Sequence, residues 1–372
     1  MQKRPHASEA EIRALALLLP GHNEELIIET TIASALAAGQ NIEDIYVVDD
    51  ASTDHTSQKA LNLLPKENVV RVRRSGKAVA VQKAIKRFNL TRRYTWLHVA
   101  DADSVFCPHY FEIYRAGLDS KRYAAAVGFV QSMRGNWIAC YRCFNYTYGQ
   151  HIFRRVQGWF NMISVLPGPV TCFRTDIIDQ LDFRSGSLTE DFDLTLQIHR
   201  KKIGRIRFIP EAVNFTQDPR TLQDFCKQTA RWQRGFFQGV QRHHICRRAQ
   251  RIDVSVSYQM IETLFYLVQV LVVIPYFVFI LHNTNYLQML VAGDAIILLT
   301  LAIASALAAR RLSVLYALPY YYPLRLLELG IFVWAFVEVI ILHRYTSQQE
   351  RGWATEGRRY QLNSKALRDT AR

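Results

Sequence analysis

The 372 residues are 49% apolar and 21% charged, ample material for a buried core in one large domain or two ordinary ones. A formal net charge of +14 admits nucleic acid, an anionic substrate or the anionic face of a membrane as partners. The basic residues gather at Arg242 to Arg251, at Arg310-Arg311 and from His343 to Arg372, beside apolar stretches. That is the pattern of cytoplasmic membrane flanks, and with no aromatic-interleaved basic motif present, nucleic acid is excluded as a partner.

The first residues are polar and basic without an apolar run, so no signal peptide is expected. Ala14 to Leu19, stopped by Pro20-Gly21, and Ile45 to Val48, stopped by Asp49-Asp50, predict buried parallel strands. Between them Glu24 to Ala38 has helical periodicity and ends at Gly39, a C-cap residue. Asp54 to Leu64 predicts a second helix, Asn68 to Val72 a third strand, Ala78 to Phe88 a third helix and Tyr94 to Val99 a fourth strand. The alternation predicts a doubly wound α/β sheet with ligands at the carboxyl ends of its strands. Beyond Asp103 it fades into a mixed region. Phe183 to Ser187 reads as a loop, Leu188 to Arg200 as a helix opening on an acidic pair, and Ile206 to Ile209 as a strand. Leu222 to Val240 reads as a helix carrying Gln228, Arg231 and Trp232 on or near one face.

Three apolar stretches follow, Val254 to Leu281, Leu287 to Ala309 and Leu312 to Leu342, each longer than the roughly 20 residues that cross a bilayer. The third is broken by Pro319, Pro323 and Arg325, and its Tyr320-Tyr321-Tyr322 suits the headgroup level. Three full crossings would put the basic tail outside, against the charge rule, so the expectation is two crossings plus interfacial helices. Asp294 and Glu338 are candidates for lining a polar passage, with interfacial placement as the alternative. The chain thus divides into a catalytic domain (1–250), transmembrane and interfacial helices (251–345) and a basic tail (346–372). Of six cysteines, only Cys140-x-x-Cys143 has metal or redox spacing, and no second pair accompanies it. Two thiols one helical turn apart in a reducing compartment are expected.

Several residues have the chemistry of a site. Asp101 and Asp103 follow a predicted strand, and two carboxylates one residue apart at such an edge suit a hard divalent cation bridging a diphosphate; an Asp-rich turn is the alternative. Asp49 and Asp50 stand in the corresponding place after an earlier strand, where a carboxylate accepts hydrogen bonds from a base or ribose. Capping of the next helix through Ser52 or Asp54 accounts for the same residues. Lys77, after Gly76 and before a helix, suits a phosphate, although no P-loop precedes it and a solvated lysine fits equally. Glu190 and Asp191 open a helix: one suits the general base that takes a proton from an attacking hydroxyl, the other reading being acids favoured by the helix dipole. Trp232 offers a flat face for a sugar, and Gln228 and Arg231 offer donors.

Taken in order, Asp50, Asp101-Ala102-Asp103, Thr189-Glu190-Asp191 and Gln228 to Trp232 resemble the processive glycosyltransferases of family two. That group includes the cellulose, chitin, hyaluronan and poly-N-acetylglucosamine synthases, and its signature is an Asp, an Asp-x-Asp, a Thr-Glu-Asp and a Gln-x-x-Arg-Trp. The resemblance covers about Leu15 to Gly239. It implies a GT-A fold, a UDP-sugar donor, Mg2+ or Mn2+, inversion at the anomeric carbon, and a cytoplasmic active site above a membrane channel in the cell membrane. Carried over by position, Pro20, Asn23, Glu24, Asp49, Asp50 and Lys77 would hold UDP. Asp101 and Asp103 would serve donor and metal, and Asp191, or else Glu190, would be the base. Gln228, Arg231 and Trp232 would hold the acceptor terminus, with the loop Gly168-Pro169-Val170-Thr171 bordering its pocket.

The group usually begins with membrane helices, whereas only residues 1–13, mostly polar, precede the first predicted strand. A truncated start, a membrane partner subunit, a short product, or a non-processive transfer to a lipid or other single acceptor would account for the difference. The leading expectation is therefore a membrane-bound inverting transfer of a hexose or N-acetylhexosamine from a UDP-sugar to a growing β-linked saccharide. The alternative acceptor is a polyprenyl phosphate, against which Gln228, Arg231 and Trp232 argue, or another lipid. A catalytically silent scaffold subunit ranks below both, because its acidic motifs should have decayed.

Overall fold

The computed structural model describes residues 13–118, 122–276 and 284–344. Strand β1 (Arg13–Gly21) divides its side chains between two cores. Ala16 and Leu18 pack into one, and Leu15, Leu17 and Leu19 into the other. A strand apolar at successive positions is what cover on both sheet faces requires. Helix α1 (Ile28–Ala37) leads to β2 (Ile45–Asp50), α2 (Thr56–Leu61) to β3 (Val69–Val72), and α3 (Lys77–Arg87) with the single turn α4 (Leu90–Arg93) to β4 (Tyr94–Val99). These four strands pair in parallel in the order β3-β2-β1-β4, the doubly wound half that the alternation predicts.

The other half of the sheet is mixed. In chain order come β5 (Val105–Phe106), α5 (Tyr110–Gly117), β6 (Tyr123–Ser132), α6 (Trp137–Tyr148), α7 (Arg155–Trp159), β7 (Thr171–Arg174), α8 (Glu190–Arg200) and β8 (Arg205–Thr216). The eight strands run β3-β2-β1-β4-β7-β6-β8-β5. β7 is antiparallel to both β4 and β6, β6 is parallel to β8, and β5 is antiparallel to β8. Strand β6 escapes the sequence pattern because its opening Tyr-Ala-Ala-Ala-Val-Gly run is mostly alanine and glycine, residues depleted in strands, and burial between two neighbours makes it a strand. β8 outruns its expected end at Ile209: the β6–β8 register shifts between Val127 and Phe129, which carries the ladder past Pro210.

Helix α9 (Leu222–Arg242) opens on Thr221, whose Oγ1 accepts from the Asp224 N–H at 3.1 Å. Then follow α10 (Arg251–Val268), α11 (Thr284–Ala308) and α12 (Leu318–Phe336). Among the described residues two segments, Arg251–Val273 and Leu287–Ala308, are long and apolar enough to cross a membrane. α12 differs, with Pro323 inside it and Arg325 and Glu328 along it. One buried cluster joins α6, α9, α11 and α12 through Tyr141, Phe144, Phe225, Ala302 and Leu324, and Tyr321 packs on Tyr141 and Phe144. Leu281, at the end of the first apolar stretch, and the basic tail past Arg344 lie outside the described residues. Cys140 and Cys143 are buried free thiols.

Candidate active site

A cavity of about 1030 Å3 lies at the carboxyl ends of β1 and β4 and extends along α8 and α9 to α10 and α12. Pro20, Glu24, Lys77, Asp101, Asp103, Gly168, Glu190, Asp191, Gln228, Arg231 and Trp232 all line it. Asn23, Asp49, Asp50 and Thr171 stand behind the wall, and local bonds show what they hold there. Asp49, fully buried, accepts from the Ser52 N–H at 2.7 Å and from the Ser57 hydroxyl. Asp50 accepts from the backbone of Ser75 and Gly76, each at 2.8 Å. Gly76 has φ 81°, a value glycine adopts without strain, and the next residue is Lys77. Asp50 thereby fixes the loop that delivers Lys77. Asn23 and Ser52 cross-link the loops after β1 and β2, with the Asn23 N–H donating to Ser52 Oγ at 3.0 Å and the Thr53 N–H to Asn23 Oδ1 at 2.8 Å. Thr171 Oγ1 donates to Pro167 O at 2.8 Å, shaping the turn that holds Gly168.

Lys77 reaches into the cavity, where its Nζ lies 2.5 Å from Asp101 Oδ1 and 3.4 Å from Glu190 Oε1. Burial pushes its pKa down, but Asp101, Glu190 and Asp191 hold it above the ordinary value. The approach depends on Gly168, since a Cβ there would fall 2.5 Å from that nitrogen. Asp191 is raised to about 6, first by burial and then by the Glu190 charge, with Lys77 and Arg231 pulling it back. A carboxylate near neutrality, in a cavity and next to a cation, suits proton transfer at physiological pH.

The loop before α8 is gripped from α9. Arg231 Nη1 donates to Leu188 O at 3.0 Å, and the Leu188 N–H donates to Gln238 Oε1 at 3.0 Å. Gln228 Oε1 and Arg231 Nε have no hydrogen-bond partner among the described residues, so polar capacity remains at the wall for a ligand.

Two residues here carry no sequence motif. Arg142 of α6 stacks on the Phe225 and Trp232 rings, its guanidinium carbon 4.4 and 4.6 Å from the centroids. It donates to Thr229 Oγ1 at 2.8 Å and lies 3.6 Å from Glu328 of α12, so one face of Trp232 is already taken. Asp218 lines the cavity two residues past β8. Burial raises it to about 7, Ser132 and Arg142 oppose the shift, and Asp103 adds to it. Its Oδ2 has no partner among the described residues. The strand-end reasoning that picks out Asp101 and Asp103 would have found it had β8 not been expected to stop before Pro210. Asp103 and Asp218 fit a divalent cation. Since no three His, Cys, Asp or Glu side chains among the described residues form a metal-binding group, its other ligands would be diphosphate and water oxygens. Of the two acids singled out in the apolar tail, Glu338 pairs with Arg234 of α9 at 2.5 Å, and Asp294 accepts from the Tyr322 hydroxyl at 2.5 Å.

The family described as "Glycosyltransferase like family 2" matches residues 13–235, more than half of the chain. The chain is 22% identical over 247 residues to the poly-beta-1,6-N-acetyl-D-glucosamine synthase of Staphylococcus aureus (strain COL), covering 63% of this chain and 57% of the relative. It is 26% identical over 241 residues to the probable glycosyltransferase YdaM of Bacillus subtilis (strain 168), covering 60% and 56%. It thus spans just over half the length of these relatives. Among solved structures, a mannosyltransferase PcManGT from Pyrobaculum calidifontis, in complex with GDP-Man and Mn2+, superposes with a TM-score of 0.52 at 16% identity, covering 91% of this chain and 89% of that one. The family match and the shared fold, with the acidic motifs and the α9 side chains in one cavity, make this chain a member of glycosyltransferase family 2 with a GT-A fold.

Proposed function

We propose that the chain is a membrane-bound inverting glycosyltransferase that moves a hexose or N-acetylhexosamine from a UDP-sugar to a saccharide acceptor. The observation that carries the reading is Asp191, a carboxylate raised to about 6 in the cavity that also holds Asp101, Asp103, Lys77 and the α9 side chains. An acceptor hydroxyl attacks the anomeric carbon from the face opposite the diphosphate. Its proton passes to Asp191 as the bond from the sugar to the leaving oxygen breaks, and the nucleoside diphosphate departs with the electron pair. Lys77 supplies charge toward the diphosphate once the donor draws it from Asp101, and Trp232 and Gln228 orient the acceptor ring. Asp103 and Asp218 would hold Mg2+ or Mn2+, which when bound neutralises charge on the leaving diphosphate.

The poly-N-acetylglucosamine synthases among the relatives favour an N-acetylhexosamine. The GDP-Man and Mn2+ of the mannosyltransferase support a nucleotide-sugar and a divalent cation. Two apolar segments behind the basic run Arg242 to Arg251 favour a cell-membrane enzyme whose catalytic domain faces the cytoplasm, with a partner subunit as a further candidate component. The test is nucleoside diphosphate release by detergent-solubilised protein from UDP-glucose, UDP-N-acetylglucosamine, UDP-galactose and GDP-mannose, with Mn2+, Mg2+ or chelator. Release from one UDP-sugar that requires the cation is expected, whereas release from GDP-mannose alone would overturn the choice of donor.

A further inference from the structure

The far wall of the cavity belongs to the helix whose outer side is apolar. Gln259, Glu262 and Thr263 of α10 line the cavity, while Ile261, Leu264 and Phe265, on the same turns, are each more than half exposed. Glu262 lines the cavity, is 40% exposed and pairs with Arg325 of α12 at 2.9 Å. The same turns of α10 thus carry both the cavity wall and the apolar surface.

A second observation places those turns near a membrane surface. α7 ends at Trp159 and is followed by Phe160, 73% and 55% exposed, beside the start of α10. Arg251 Nη1 donates to Phe160 O at 3.4 Å, and Gln157 Nε2 donates to Ser255 Oγ at 2.9 Å. An exposed Trp next to an Arg at the head of an apolar span is the composition of a headgroup belt. Gln157, two residues from Trp159, also lines the cavity. At 1.5 Å rise per residue, Gln259 lies only about 12 Å along the axis from Arg251.

We infer that the acceptor is a glycolipid: its terminal sugar enters along the seam of α7 and α10, and its hydrocarbon tail stays on the apolar side of α10. This rests on the sugar-transfer reading above. A free saccharide would use the polar wall alone, whereas a sugar joined to a tail uses the wall and the exposed apolar face together. The glycolipid hydroxyl oxygen forms the new bond to the anomeric carbon, its proton goes to Asp191, and the diphosphate leaves with the electrons of the broken bond.

The experiment uses the full chain in lipid nanodiscs with its UDP-sugar and a series of methyl, octyl and dodecyl β-glucosides and β-N-acetylglucosaminides. Burial of a longer tail favours the bound glycoside, so KM should fall by about tenfold or more from methyl to dodecyl, and the dodecyl glycoside should appear as the glycosylated product. A dodecyl glycoside with a diazirine near the head should cross-link to peptides of α7 or α10. Equal KM across the series, transfer to methyl glycosides alone, or cross-links confined to α11 would overturn the inference. UDP release into water that no glycoside stimulates would overturn it too while leaving the sugar-transfer reading in place. No release with any acceptor would sink both.

Discussion

Asp191 is tuned by opposed neighbours: burial and Glu190 raise it, Lys77 and Arg231 lower it. A base must be deprotonated to act, so the rate of UDP release should climb as pH rises through about 6 and then level off. Lys77→Met removes a cation that lowers Asp191, so this limb should move to higher pH while the KM for the donor rises; an unmoved limb would contradict the contact. The same shift has a stability sign. The folded pKa lies above the ordinary value, so folding favours the protonated acid, a contribution present at low pH and lost as pH rises through about 6. Asp191→Asn should therefore melt no lower than wild type at pH 7.5, with its advantage shrinking toward pH 4, although its activity is nearly gone. Much of this scale was legible in the sequence, since Lys77, Asp101, Asp103, Glu190 and Asp191 follow predicted strand ends or open helices. Arg142 was not, because its importance comes from packing against Trp232 across three helices rather than from its sequence neighbours.

At the scale of elements, α9 meets α8 through Gly235 and Gly239, one turn apart on one face. A Cβ at Gly235 would fall on the side chain of Thr189, and one at Gly239 would sit 2.5 Å from Phe192 Cε1. The close approach lets Arg231 and Gln238 grip Leu188 just ahead of Glu190 and Asp191. Gly235→Ala should cost about 1–3 kcal/mol of stability through overpacking and lower UDP release along with it; a full-rate variant with an unchanged melting temperature would refute the contact. Periodicity foretold α9 and its polar residues but not this glycine face, which only the partner helix gives meaning. The same limit hid β6, whose alanines become a strand only between β7 and β8. It also hid Asp218, which follows a strand that the ladder continues past Pro210.

For the whole molecule, helices α6 and α9 of the candidate site are joined to the apolar helices by side-chain contacts. Glu328 of α12 accepts from the Tyr141 hydroxyl at 2.7 Å and lies beside Arg142, and Phe237 of α9 packs on Ala335 and Val339. Catalysis and the apolar layer should therefore be separable only at a cost: the chain should stay with membranes in high salt, leave them in detergent, and lose activity when that layer is disrupted. The charge distribution and three apolar stretches made the layer legible from sequence, but the folding of α12 back onto α6 and α9 was not. Whether Asp191 takes the proton as a sugar leaves its nucleotide is decided by comparing UDP release from wild type and Asp191→Asn at saturating donor and cation. A fall of about 10²–10⁴-fold is expected in a variant that remains folded. A folded Asp191→Asn protein that releases UDP at the wild-type rate would contradict it.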